Sequence, residues 1–245
     1  MKLVIRLVAI AFLLIGGIAL IKLLIDNQEL GEEIAQLESE LGRMSIADSD
    51  RVYLVEIETP DVAPEVAQHL DRVWQFRCYM PPGYDVMRFC GGGRVESDGV
   101  YFNGGYSSGW GTPSTEAVHE LLTISFQERE DRLDVFYAFG GSSGTTTWGR
   151  LTPDQINDSL VVQKIVNSAQ GPRSFDQDTI LPLLKIYDPN SAQDENVAGK
   201  IVTTYSGGMF VVCPKSRESE FDQLKRGEML NESESPRVAK AVTND

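Results

Sequence analysis

The chain has 245 residues and carries 22 basic against 36 acidic side chains, a formal charge of −14. A surface that acidic is repelled by phosphate backbones and anionic lipid surfaces, and no stripe of Lys or Arg interleaved with aromatics offsets it, which argues against nucleic acid as a partner. Three cysteines without a Cys-x-x-Cys pair, and two histidines without a ligand at useful spacing, argue against a metal centre, so no metal or cofactor is expected.

From Leu7 to Ile21 fifteen residues are apolar or glycine, flanked by Arg6 and Lys22. As a helix they rise about 22 Å, short of a hydrocarbon core of about 30 Å, whereas residues 3 to 25 rise about 34 Å. The apolar stretch ends in Ala19-Leu20-Ile21-Lys22-Leu23-Leu24-Ile25, an end without a small-x-small cleavage pattern. That favours a retained signal-anchor over residues 1–25, against a cleaved signal or a buried helix. Lys2, Arg6 and the terminal amine precede the apolar run, and acidic residues follow Lys22. The charge bias therefore points the N-terminus inward and the bulk of the chain outside the cytoplasm, at a cell membrane crossed once.

Residues 26–45 read as a helical stalk. Leu30, Ile34, Leu37, Leu41 and Met44 are spaced 4, 3, 4, 3, a coiled-coil seam. Gly31 and Gly42 each weaken a helix by about 1 kcal/mol, and the acidic flanks Asp26, Glu33, Glu38 and Glu40 would face like charges in a parallel dimer. Self-association through 26–45, a protein partner there, and a monomeric stalk all stay open. The layout of the first 45 residues resembles that of many bacterial membrane proteins with one span, small septum-assembly components among them, and carries no site residues with it.

A globular β-rich domain is expected over 50–214. Tyr53, Val55 and Ile57 alternate with Leu54, Glu56 and Glu58, as in a half-buried strand. Pro64 at a first helical turn, with Val66, Leu70, Val73 and Trp74 at helical spacing, predicts a helix that also carries His69. The β-prone runs around Pro82-Gly83 read as a hairpin holding Cys78 and Cys90. A disulfide between these two and reduced, buried thiols are both open, because a two-residue turn would put the sulfurs on opposite faces. Leu122, Ile124 and Phe126 against Leu133, Val135, Tyr137 and Phe139 predict a second hairpin. Thr152-Pro153-Asp154-Gln155 predicts a helix start, and 160–166 is ambiguous. The runs 179–188 and 200–214 read as strands, Pro182 marking an edge or an irregularity. Residues 215–245 are charged and apolar-poor, as in a disordered tail with a transient helix around 221–230. The fold class expected is α+β: an N-terminal transmembrane helix and helical stalk, then a mainly antiparallel β domain with two or three short helices.

No catalytic residue is assigned. Gly105-Tyr106-Ser107-Ser108-Gly109 and Gly140-Gly141-Ser142-Ser143-Gly144 match G-x-S-x-G, but neither is followed by a helical pattern and only His119 follows the first match. A membrane-tethered serine hydrolase using Ser107 and His119 is therefore the alternative to the main expectation, a membrane-anchored acidic domain that binds or assembles at the envelope. Tyr101, Phe102, Tyr106, Trp110 and Trp148, beside glycine-rich stretches, are either a binding surface or core.

Overall fold

Strand pairing, not helix packing, organises the described residues of the chain. The structure, a computed structural model, describes residues 16, 17, 20, 22, 44–58, 70–129, 132–139, 141–148, 160–197, 199–228 and 238–242. The chain divides into two compact units, 1–45 and 46–245. Of the first, Gly16, Gly17, Leu20 and Lys22 are helical. Most of the expected anchor and stalk lies outside the described residues, as do residues 59–69 and the expected helix start at Pro153.

Among its described residues the second unit holds β1 (Val52–Ile57), β2 (Arg72–Met80), β3 (Val86–Glu96), β4 (Phe102–Trp110), β5 (Val118–Arg129), β6 (Arg132–Phe139), β7 (Ser142–Trp148), β8 (Val161–Lys164), β9 (Arg173–Phe175), β10 (Leu181–Tyr187), β11 (Gln193–Val197), β12 (Lys200–Pro214), one α-helix, α1 (Glu218–Lys225), and two short 3-10 turns. One sheet runs β7-β6-β5-β2-β1-β9, the other β4-β3-β12-β10-β8 with β11 added to β12. Every pairing between these strands is antiparallel. The α+β expectation is thereby corrected. The described fold is antiparallel β with a single eight-residue helix, and no helix among the described residues is long and apolar enough to cross a membrane.

The sheets face each other across one core. Leu54, Phe76, Leu122, Ile124 and Val135 of the first meet Cys90, Leu184, Ile186, Phe210 and Val212 of the second. Trp148, 2% exposed, lies against the glycines of the second sheet. A Cβ at Gly92 would overlap its indole, and one at Gly208 would come within 2.6 Å of it. The outer face of the second sheet is buried too: Met87, Phe89, Val95, Met209 and Val211 form a smaller core closed by Phe221 of α1. Strands buried on both faces lose their alternation, which is why β10 is buried along its whole length.

Several local expectations change. Val73 and Trp74, assigned to a helix, belong to β2. The run around Pro82-Gly83 is not a hairpin: β2 pairs β1 and β5, while β3 pairs β4 and β12, so the turn passes the chain from one sheet to the other. Gly83 sits at φ 75°, a conformation glycine tolerates, and its N–H donates to Ser114 O at 2.7 Å, tying this crossing to the return crossing between β4 and β5. On β1 it is Val52 and Leu54 that enter the core, whereas Tyr53 packs against Tyr79 at 6.0 Å. Pro182 lies where β10 shifts register against β12 and before its pairing with β8 begins, an irregularity in an interior strand. The packed fold also continues past Pro214, since Phe221 is fully buried.

Candidate functional site

The strand edges of the second unit differ sharply. Strand β9 has three residues, β8 has four, and the five of β11 include Asp194 and Glu195. The C-terminal segment also engages β8, through Val242 N donating to Lys164 O at 2.7 Å. Short, charged or covered edges resist pairing with foreign strands. Strand β4 is the opposite: nine residues, FNGGYSSGW, with no charge and no proline, paired with β3 along one side and with nothing along the other among the described residues. Beside it runs β7, SSGTTTW, also uncharged.

Four hydrogen bonds tie β4 to the β6–β7 side of the opposite sheet. The Ser107 and Tyr137 hydroxyls are 3.1 Å apart, joining β4 to the opposite sheet. Arg88, buried beneath the end of β4, donates to Trp110 O at 3.2 Å, to Phe139 O at 2.6 Å and to the Ser142 hydroxyl. A guanidinium with fixed partners on both edges sets their spacing.

The outer face of β4 carries Phe102, Tyr106 and Trp110. Phe102 is core, packed edge-on to Phe89 at 5.1 Å. Tyr106 is 53% exposed and Trp110 52%. Tyr106 rests on Phe89, ring centroids 5.1 Å apart, and the Lys225 ammonium lies 4.3 Å from its centroid while bonding Asp222 at 2.8 Å. The indole N–H of Trp110 donates to Glu218 at 3.2 Å. Strand and helix therefore hold both aromatics in place, so little side-chain entropy remains to be lost when a partner covers them. Of the five aromatics singled out in the sequence, Tyr101, Phe102 and Trp148 are buried, leaving Tyr106 and Trp110 as surface.

Ser107 and His119 are not brought together. Ser107 points between the sheets toward Tyr137, whereas His119 is on the outer face of the first sheet against the Tyr79 ring at 5.1 Å. Ser142 of the second G-x-S-x-G match follows Gly141, whose φ is 69°, in the β6–β7 turn, and donates to Phe139 O. All three cysteines are free and buried, and Cys78 and Cys90 lie on opposing sheets. Burial pushes the Cys90 and Cys213 thiols up to about 12 and raises Cys78 as well, so none is a nucleophile at neutral pH. No group of residues suited to a metal ion occurs among the described residues.

The sequence held an unused signal for this edge. In a chain that is 24% charged, residues 99–115 and 135–149 contain no charged side chain at all, and these runs hold β4 and β7. Compared with known protein families, curated proteins and solved structures, the chain shows no match.

Proposed function

We propose that this protein is a membrane-tethered binding module that holds an acidic β-sandwich outside the cytoplasm and takes part in envelope assembly by accepting an extended protein strand along β4. The carrying observation is the contrast among its edges: β4 is long, neutral, proline-free and carries two fixed, half-exposed aromatics, while the others, β7 apart, are short, charged or covered. Main-chain hydrogen bonds along such an edge supply affinity, and the aromatic pair supplies selectivity through alternate side chains of the incoming strand. The tether rests on the apolar run Leu7–Ile21 between Arg6 and Lys22.

Photo-crosslinking in carbonate-washed membranes tests both halves. The full-length chain carries a photoreactive phenylalanine analogue at Trp110 or, as a control, at the exposed Ile201 on β12. The expected result is retention in the pellet and an adduct from position 110 but not from 201. Release into the wash removes the tether, and a silent position 110 removes the docking edge.

A further inference from the structure

We infer that the strand accepted by β4 is β4 of a second copy, paired antiparallel about a two-fold axis through Tyr106. The inference rests on the docking role of β4 proposed above and names its occupant. Tyr106 is the midpoint of the nine-residue strand, so this register alone uses the whole edge. On the outer face it sets Tyr106 against Tyr106 of the second copy, Phe102 against Trp110 and Gly104 against Ser108. On the other face it sets Asn103 against Gly109 and Gly105 against Ser107. Each aromatic meets an aromatic, small residues meet small or hydroxyl residues, and no position places like charges opposite each other, the arrangement cross-strand pairs favour. An isologous contact of this kind closes on itself.

Charge selects the same edge. Two chains of formal charge −14 repel wherever acidic surface meets acidic surface, and the run 99–115 offers them a stretch without a carboxylate. Strand β7 is also neutral but exposes no large aromatic, and its Thr147 hydroxyl is committed to Asp134 at 3.2 Å. Pairing β4 with itself joins the two second sheets into one continuous sheet across the dimer.

Cysteine cross-linking of the full-length chain in membranes reads the register directly. The three native thiols are buried, so the unmodified chain gives no oxidative dimer. Tyr106→Cys is expected to cross-link to itself. Asn103→Cys mixed with Gly109→Cys, where a side chain at 109 meets open space, is expected to give the heterologous dimer, and Trp110→Cys or Thr145→Cys alone no dimer above background. Tyr106→Glu, which sets two carboxylates opposite each other on the axis, is expected to weaken dimerisation in detergent at least tenfold by sedimentation equilibrium while keeping the β circular-dichroism spectrum.

Failure of Tyr106→Cys to cross-link overturns the inference even if dimers persist, because residues 26–45 would then hold them. Equal yields at 106 and 110 overturn the register. If the photoprobe at 110 captures a different protein while Tyr106→Cys stays monomeric, the docking edge stands and the second copy falls; if it captures nothing, both fall.

Discussion

Lys185 places an ammonium in the interior of the second sheet's outer face, 4% exposed, where it donates to Glu96 O, Ser97 O and Gly99 O at 2.9 to 3.0 Å. Three carbonyls from the β3–β4 turn thus share one cation, which holds the turn from inside while Tyr101 N donates across it to Glu96 Oε1 at 3.0 Å. Burial nevertheless pulls the Lys185 ammonium down to about 8, against the upward pull of Glu96 and Asp98. The buried thiols act in the opposite sense. A lowered lysine leaves the unfolded chain with more protons between pH 8 and 10.5, so stability from Lys185 rises with pH over that window. Thiols raised from 9 keep protons the unfolded chain has lost, so their contribution is complete below pH 9 and drains away toward pH 12. Each group sets a slope of about 1.4 kcal/mol per pH unit at most, and three thiols outweigh one lysine. The urea midpoint is therefore expected to hold or rise slightly from pH 8 to 9 and to fall steeply by pH 10. A midpoint still climbing at pH 10 would contradict this balance, and replacing Cys90 and Cys213 by alanine should flatten the fall.

At the scale of elements, local patterns reveal strands better than they reveal strand partners. The β5–β6 hairpin was legible because Leu122, Ile124 and Phe126 oppose a run with the same period and face a single core. The face of β1 was not. Tyr53, Val55 and Ile57 look like the buried set, yet the core takes Val52 and Leu54, and on their side Glu56 meets Lys164 of β8 with both carboxylate oxygens, at 2.6 and 2.7 Å. An acidic residue on a core-facing row hides that row from any reading by hydrophobicity; only the distant lysine explains it. The β2–β3 connection misleads for a related reason: sequence neighbours were paired across a turn that instead changes sheets. The exposed aromatics were legible as a group, but which of them are surface depends on what α1 and the opposite sheet cover. The Glu56–Lys164 pair, 10% and 20% exposed in its side chains, bridges the two sheets at their edges. Removing one partner strands a largely buried charge, so Glu56→Leu or Lys164→Met alone is expected to cost about 3 kcal/mol. The double replacement is expected to restore most of that loss, since an apolar pair needs no desolvation. Urea unfolding of the two single variants and the double variant closes the cycle, and a double variant as unstable as the sum of the singles would show that the ions do not act on each other.

Charge is a property of the whole molecule, and it gives the docking edge a signature no single residue carries. Beyond Ile25 the chain has 19 basic side chains against 36 acidic, a formal charge of −17. Two such copies attract through β4 only over short range, by main-chain hydrogen bonds and aromatic contact that salt scarcely touches. Their repulsion acts over the Debye length, about 30 Å at 0.01 M salt and about 8 Å at 0.15 M. Screening therefore removes the unfavourable part and leaves the favourable part. The dimer is expected to tighten as salt rises from 0.01 to 0.15 M, by about tenfold, a change of about 1.4 kcal/mol. A basic partner strand would give the reverse, because its attraction to the acidic domain is the part that salt screens. The sign of the salt dependence, measured by sedimentation of the full-length chain in a nonionic detergent, thus separates a second copy from a cationic ligand without knowing the ligand. Self-association that weakens with added salt would mean that opposite charges, not neutral strand edges, hold the copies together.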